Sequence, residues 1–196
     1  MNKHEAFALL ESSWKGKYPF EEEELQQLKA LFDFVQFKRK DFLIKEGMQE
    51  HGIYFIAEGI LRAYFENEEQ EITAAFIYSG YWSSSFASFL SGVPSDYNVE
   101  VLEDVSALYL NKEKLERALQ ASEQFALYYR RLLENVVVGM QFRERELLAS
   151  TAEQRFERFM KQSAFLTQRL PLKHIASYLS MTPETFSRLR RKWMEK

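Results

Sequence analysis

Apolar and polar positions along the 196-residue chain change their period twice. Residues 3–13 and 21–34 carry apolar side chains at helical spacing. In the second stretch Leu25, Leu28 and Leu31 or Phe32 follow Glu21–Glu24, a first turn whose negative charge suits the helix dipole. From about residue 35 the texture becomes that of strands. The runs "FLIKEG", "GIYFIAEG", "ILRAYFEN", "EITAAFI" and "VEVLEDVSALYL" are short and rich in β-branched and aromatic residues. Gly47, Gly59, Gly80 and the polar turn Asn67–Gln70 separate them. Such spacing predicts a small antiparallel roll or barrel.

Helical spacing then returns. Residues 111–120 predict a short helix with Asn111 as its N-cap. Ser122 to about Ala149 contains no proline and one glycine, so a single long helix is expected. Globular helices average about 11–12 residues, so this length needs a reason. Phe125, Tyr129, Leu132, Val136 and Gly139 recur at 4-3-4-3 spacing, a seam suited to pairing with a second copy of the chain. Packing of the same seam on the chain's own roll is the alternative. Thr151 with Gln154 makes a capping-box pattern, and Ser150 with Glu153 offers the neighbouring register. The helix that follows is expected to reach about Leu166, with Phe156, Phe159, Met160 and Ser163 on its inner face.

The most specific segment is "LPLKHIASYLSMTPETFSRLRRKW". Leu172–Leu179 places Ile175, Ala176 and Leu179 on one face, and Ser180-Met181 reads as a tight turn. Thr182 is a good N-cap, Pro183 suits the first helical position and Glu184 lies in the first turn. Phe186, Leu189 and Trp193 would form the buried stripe, leaving Glu184, Thr185, Ser187, Arg188, Arg191 and Lys192 outward. Two short helices joined by a tight turn are the helix-turn-helix pattern. Arg188 can meet a guanine edge with two hydrogen bonds, and Glu184 can accept from a cytosine amine or orient Arg188. Arg191, Lys192, Lys173 and Arg169 can meet phosphates, as can the N–H groups at the helix start near Thr182. A hairpin of helices packed inside the protein is the competing reading.

Charge strengthens the first reading. Residues 1–149 hold 16 Lys/Arg and 25 Asp/Glu, a net −9; residues 150–196 hold 10 and 4, a net +6. An acidic body with a basic end points to two modules, the basic one a candidate for facing a polyanion, although charge alone would favour a solvated basic helix. The chain has no cysteine, which excludes disulfides and thiolate metal sites and suits a reducing compartment. No apolar stretch approaches the ~20 residues of a membrane span, and the N-terminus lacks a secretory pattern. The expected location is the cytoplasm.

With these motifs in view, the chain resembles the Crp/Fnr family of transcription regulators. "FLIKEG…IYFIAEG.LR" resembles the family's first strands, "SGYWSSSF" its cassette, "TAEQRF" the start of its DNA-binding domain and "TPETFSRL" its recognition helix. The resemblance implies an α+β fold. It has an N-terminal antiparallel β-roll (a double-stranded β-helix) of cyclic-nucleotide-binding type with flanking helices over residues 1–121. A long dimerisation helix over 122–149 and a helix-turn-helix DNA-binding domain over 150–196 follow. Three residues follow Trp193, so the family's wing is expected to be truncated. Glu184 and Arg188 stand where the family reads bases; Pro183 stands where the cyclic AMP receptor has an arginine, which implies a different half-site.

Departures concern the effector. The family's cyclic AMP binders use a Gly-Glu-Leu turn and an Arg-Ser pair, where this chain has Ser84-Ser85-Phe86 and Ser95-Asp96. Arg62 is the only Lys or Arg between Lys45 and Lys112. It could serve a phosphate or could pair with a nearby glutamate. Cyclic AMP binding of the usual kind is therefore not expected. Trp82, Ser83, Ser84, Ser85, Ser88 and Tyr97, with Arg62, are the candidate lining for another small effector, and no cofactor is expected. The expected partners are double-stranded DNA with a pseudo-palindromic operator, a second copy of the chain and, by resemblance, RNA polymerase. Two other functions compete: a sensor on a cupin-like roll that does not bind DNA, and a cupin-type enzyme. The enzyme would need clustered ligands, and His4, His51 and His174 are scattered.

Overall fold

The structure, a computed structural model, describes residues 1–67 and 70–195. It opens with α1 (Lys3–Trp14) and α2 (Glu22–Leu31), each begun by a capping box, at Asn2/Glu5 and Glu21/Glu24. Strands β1 (Asp33–Phe37), β2 (Phe42–Ile44), β3 (Gly52–Glu66), β4 (Glu71–Tyr78) and β5 (Trp82–Ser83) follow. Next come the short helix α3 (Phe86–Ser91), β6 (Asn98–Asn111) and α4 (Lys112–Ala121), capped by the Asn111 side chain on the Lys114 N–H at 2.8 Å. The long helix α5 (Glu123–Ala149) leads to α6 (Ala152–Ser163), α7 (Leu166–Arg169), α8 (Leu172–Tyr178) and α9 (Pro183–Met194).

The six strands form one antiparallel sheet in the order β1-β6-β3-β4, with β2 added to β6 and β5 to β3. Two long strands, β3 and β6, pair from Gly52↔Asn111 to Tyr64↔Asn98 through three register shifts, which bend the sheet into a roll. Gly59 sits at one of these bends with φ +97; a Cβ there would lie 2.4 Å from the Asp104 carbonyl oxygen, so only glycine fits. The α+β class is the one expected, with a local difference at the second helix. The second helix stops at Leu31 because residues from Asp33 pair with Tyr109 on β6, tertiary pairing overriding helical spacing. Of the turn Asn67–Gln70, Glu68 and Glu69 lie outside the described residues.

Three buried clusters hold the molecule together. One fills the roll between Ile44, Ile56, Leu61, Val99, Val101 and Ala107. Another joins α1, α2 and α4 to the sheet through Leu10, Trp14, Leu28, Phe32, Phe55 and Leu115. The third joins Ile60 of the roll to Phe156, Phe159, Ile175, Ala176, Phe186 and Leu189 of the last helices. Thr151, with Gln154, caps α6, whereas Ser150 is the C-cap of α5. The helix expected to reach Leu166 ends at Ser163, and the chain re-enters helix at α7. No strand follows α9 among the described residues.

Phe125, placed by spacing on a seam between copies, is fully buried in its own chain against Trp14, Phe32 and Tyr128. Tyr129 packs on the same cluster, Leu132 and Val136 are half-buried, and Gly139 is exposed. The first turns of α5 are thus rooted in the roll. Phe125→Ala is expected to lower unfolding stability by about 3–5 kcal/mol, read as a fall in urea midpoint.

Candidate nucleic-acid interface

The last two helices are assembled by local signals. Helix α8 ends where the Leu179 N–H meets the Ile175 carbonyl and the Met181 N–H meets the Ala176 carbonyl, both at 3.0 Å. Between them Ser180 takes φ +51, the left-handed conformation a tight turn needs. The Thr182 hydroxyl accepts the Thr185 N–H at 3.2 Å, and Pro183 occupies the start of α9. Phe186 and Leu189 are buried, Phe186 edge-on to Phe156 at 5.2 Å, with Trp193 half-buried at 6.2 Å from the same ring.

That anchoring leaves one face of α9 bare. Thr182, Glu184, Ser187, Arg188, Arg191 and Lys192 are exposed and Thr185 half-buried; Lys173, on α8, is exposed beside them. Glu184 is held below the usual carboxylate range by its own backbone N–H and the Thr182 hydroxyl, so it is anionic at the helix start. Lys192 reaches Glu153 of α6 at 2.9 Å. Arg190, on the flank of the face, is half-buried.

The helix pair docks on the edge of the roll. Strand β4 is an outer strand of the sheet, whose free edge would present unpaired backbone groups. The Ser177 hydroxyl supplies a partner to two of them, accepting the Thr73 N–H at 2.9 Å and donating to the Glu71 carbonyl at 3.1 Å. Phe76 meets Tyr178 at 5.5 Å, Tyr78 meets Phe165 at 5.2 Å, and Arg169 pairs with Glu103 of the roll. Beneath Ser177 lies Arg62, 1% exposed. Its Nε donates to Thr73 Oγ1 at 2.9 Å, its Nη1 to Glu71 at 2.5 Å, and its guanidinium lies 4.3 Å from the Tyr64 ring centre. Arg62 in turn holds the Glu71 carboxyl below its ordinary value.

Arg62 therefore does not join the other candidate effector residues; it faces a cleft of about 710 Å³ shared with His174, Lys173, Thr182 and Pro183. The remaining candidates other than Trp82 come together, but around a side chain of this protein. Glu50, 6% exposed, accepts the N–H groups of His51, Gly52 and Ser85 at 3.0, 3.3 and 3.3 Å, while the Glu50 N–H donates to Ser88 Oγ at 2.9 Å. Ser84 Oγ donates to the Gly52 carbonyl and Tyr97 Oη to the Ser84 carbonyl. Ser83, Ser84, Ser85 and Ser88 are buried. Trp82 packs near Phe32, Phe55 and Tyr128 with its Nε1 donating to Tyr128 Oη at 2.7 Å, so it belongs to the core. Burial pushes the Glu50 carboxyl up, against the pull of its three N–H donors. Neither spacing nor motif in the sequence singled out Glu50; its only signal is a carboxylate two residues before Gly52 and the strand start.

Among the described residues no group of three His, Cys, Asp or Glu could hold a metal, and no helix is long and apolar enough to cross a membrane. His4 lies on α1, His51 beside β3 and His174 on α8.

Comparison with known proteins agrees with this geometry. Residues 34–122 match the family model of the cyclic nucleotide-binding domain. Among solved structures, a mutant of CooA from Carboxydothermus hydrogenoformans is similar with a TM-score of 0.71 and 19% identity, covering 95% of this chain and 84% of that one. FixK2 from Bradyrhizobium japonicum gives 0.73 and 18%, covering 84% and 85%. A protein described as a transcriptional regulator of the Crp/Fnr family from Eubacterium rectale gives 0.64 and 15%, covering 89% and 84%. No curated protein is a detectable sequence relative of the chain. The likeness to these solved structures thus holds for the fold across most of the chain, and the sequence match is to the cyclic nucleotide-binding domain over residues 34–122.

The docked position of α8 makes stability depend on pH. Burial, then Arg62 and Lys173, lower the His174 pKa to about 4, against the weaker pull of Glu71. Between its ordinary 6.5 and about 4 the unfolded chain binds a proton that the folded chain refuses, so stability falls as pH drops through that window. Glu71, whose pKa is lowered from 4.5, acts below it. His174→Gln is expected to flatten the wild-type loss of urea midpoint between pH 6.5 and 4.5; parallel losses in both proteins would contradict this.

Proposed function

We propose that this chain is a sequence-specific DNA-binding transcription regulator of the Crp/Fnr type that works as a homodimer and catalyses no reaction. The observation that carries the reading is the bare face of α9. Its start is fixed by Thr182 and Pro183, its opposite side is buried through Phe186 and Leu189, and Arg188, Arg191 and Lys192 are exposed on the solvent side, Lys192 in an ion pair with Glu153. A helix so capped and backed can lay its first turns in a major groove. Arg188 then reads a guanine edge, with Glu184 beside it, while Arg191, Lys192 and Lys173 meet phosphates. Lys192 must leave Glu153 to do so. The Eubacterium rectale neighbour described as a transcriptional regulator has the same fold, which supports the assignment.

Pairing is supported by the bare middle of α5. Val137, Val138, Met140 and Phe142 are each at least half exposed there. Leu133, Val137, Met140, Glu144 and Leu147 follow a 4-3-4-3 register one residue on from the predicted seam. One residue is about 100° around the helix, which turns the seam from the roll toward a second copy. Two α9 helices would then read half-sites about 10 bp apart, centre to centre. In the roll, Glu50 occupies the centre of the serine cluster, so cyclic AMP is not the effector we assign. RNA polymerase is the further partner such a regulator would meet.

Arg188→Ala is expected to weaken binding to a cognate duplex by about 1–3 kcal/mol and to relax one base position. An equal loss on random DNA would remove its base-reading role. Lys192→Ala is expected to weaken all duplexes alike and to lower the log–log salt slope by about 1.

A further inference from the structure

Where α5 meets the helix pair, its apolar character gives way to a polar joint. Arg143 lies 4.0 Å from the Tyr178 ring centre, donates through Nη2 to the Tyr178 carbonyl and through Nη1 to Glu146 at 2.9 Å. Glu146 is buried, and its other oxygen accepts from Arg158 of α6 at 3.0 Å. From α6, Arg155 spans the same region. Its Nε donates to the Leu179 carbonyl at 2.7 Å, its Nη2 to the Ser180 carbonyl at 3.2 Å, and its Nη1 to the Ser150 carbonyl at the end of α5 at 2.5 Å.

Tyr178, Leu179 and Ser180 supply the last carbonyls of α8 and of the turn into α9. A helix end leaves such carbonyls without intrahelical partners and carries partial negative charge, so guanidinium groups suit them. Arg143 comes from the long helix and Arg155 from α6, and Glu146 with Arg158 ties those two helices together. Apolar packing is non-directional, whereas a planar guanidinium that stacks and donates at fixed angles is not. This joint therefore fixes how α9 is angled from α5.

We propose that the Arg143–Glu146–Arg158 clamp, with Arg155, sets the separation of the two reading helices and hence the half-site spacing the dimer accepts. The inference rests on the DNA-reading function proposed above. Arg143 and Glu146 touch no base or phosphate in this scheme; they act as positioning residues through α8 and its turn. Loosening the clamp should leave each half-site contact intact and blur the distance between them.

The test uses the full chain and duplexes selected by the wild type from a randomised pool. Binding is measured on the selected site, on the same site with its spacer changed by 2 bp, and on a single half-site. A 2 bp change turns one half-site by roughly 70° relative to the other, so the wild type should lose at least about tenfold. Arg143→Met and, separately, the near-isosteric Glu146→Gln should reduce that discrimination to about twofold, with half-site affinity and salt slope unchanged. Thermal melting shows whether either variant has simply unfolded, and the two together keep the test independent of one fold defect. Variants that retain wild-type spacing discrimination, or lose affinity equally on every duplex, would overturn the clamp's role. If the wild type enriches no sequence, the DNA-reading function itself fails, and the clamp with it.

Discussion

Within the 27 residues of α5 only Phe125 and Glu146 are buried. The helix is rooted at one end in an aromatic cluster of the roll and at the other in a guanidinium–carboxylate joint with the helix pair. Between these roots Val137, Val138, Met140 and Phe142 face solvent. An isolated helix gains little from propensity alone, and its stability comes from covering an apolar face. The span between the roots therefore asks for a partner surface, and everything said of paired half-sites depends on what covers it.

The two ends of that rod are fastened by different physics. Around Phe125 the contacts are edge-on aromatic ones with Trp14 and Phe32, which tolerate small rotations. Around Glu146 they are charge-assisted hydrogen bonds with strict geometry. Meanwhile the helix pair also rests on the roll's outer strand through Ser177, above the Arg62–Glu71 pair. Helix α9 is thus held by the rod and by the sheet edge together.

Local signals were legible in the sequence. Asn111, Thr151 with Gln154, and Thr182 with Pro183 mark helix starts through contacts within three residues, and each stands where spacing put it. The strand runs and the bare face of α9 could be read the same way. What could not be read is what depends on distant partners. Phe125, read as part of a seam between copies, is buried in its own chain, because periodicity does not say whether the roll or a second copy takes a face. Strand β1 took Asp33 from an expected helix because β6, over seventy residues on, pairs with it. Arg62 could be read as serving a phosphate or pairing with a glutamate, and only its distant neighbours Glu71 and Thr73 decide for the pair, while Glu50 gave no sign that the serine cluster would close around it. Arg143 on Tyr178 links residues thirty-five apart, beyond any helical spacing.

The most direct measurement of the central claim is sedimentation equilibrium of the full chain across micromolar concentrations. The account predicts a species of twice the 23.3 kDa chain mass, driven back toward one chain when Met140 is replaced by glutamate. A wild-type protein that stays at 23.3 kDa throughout would contradict it, since the bare middle of the rod would then have no second copy to cover it.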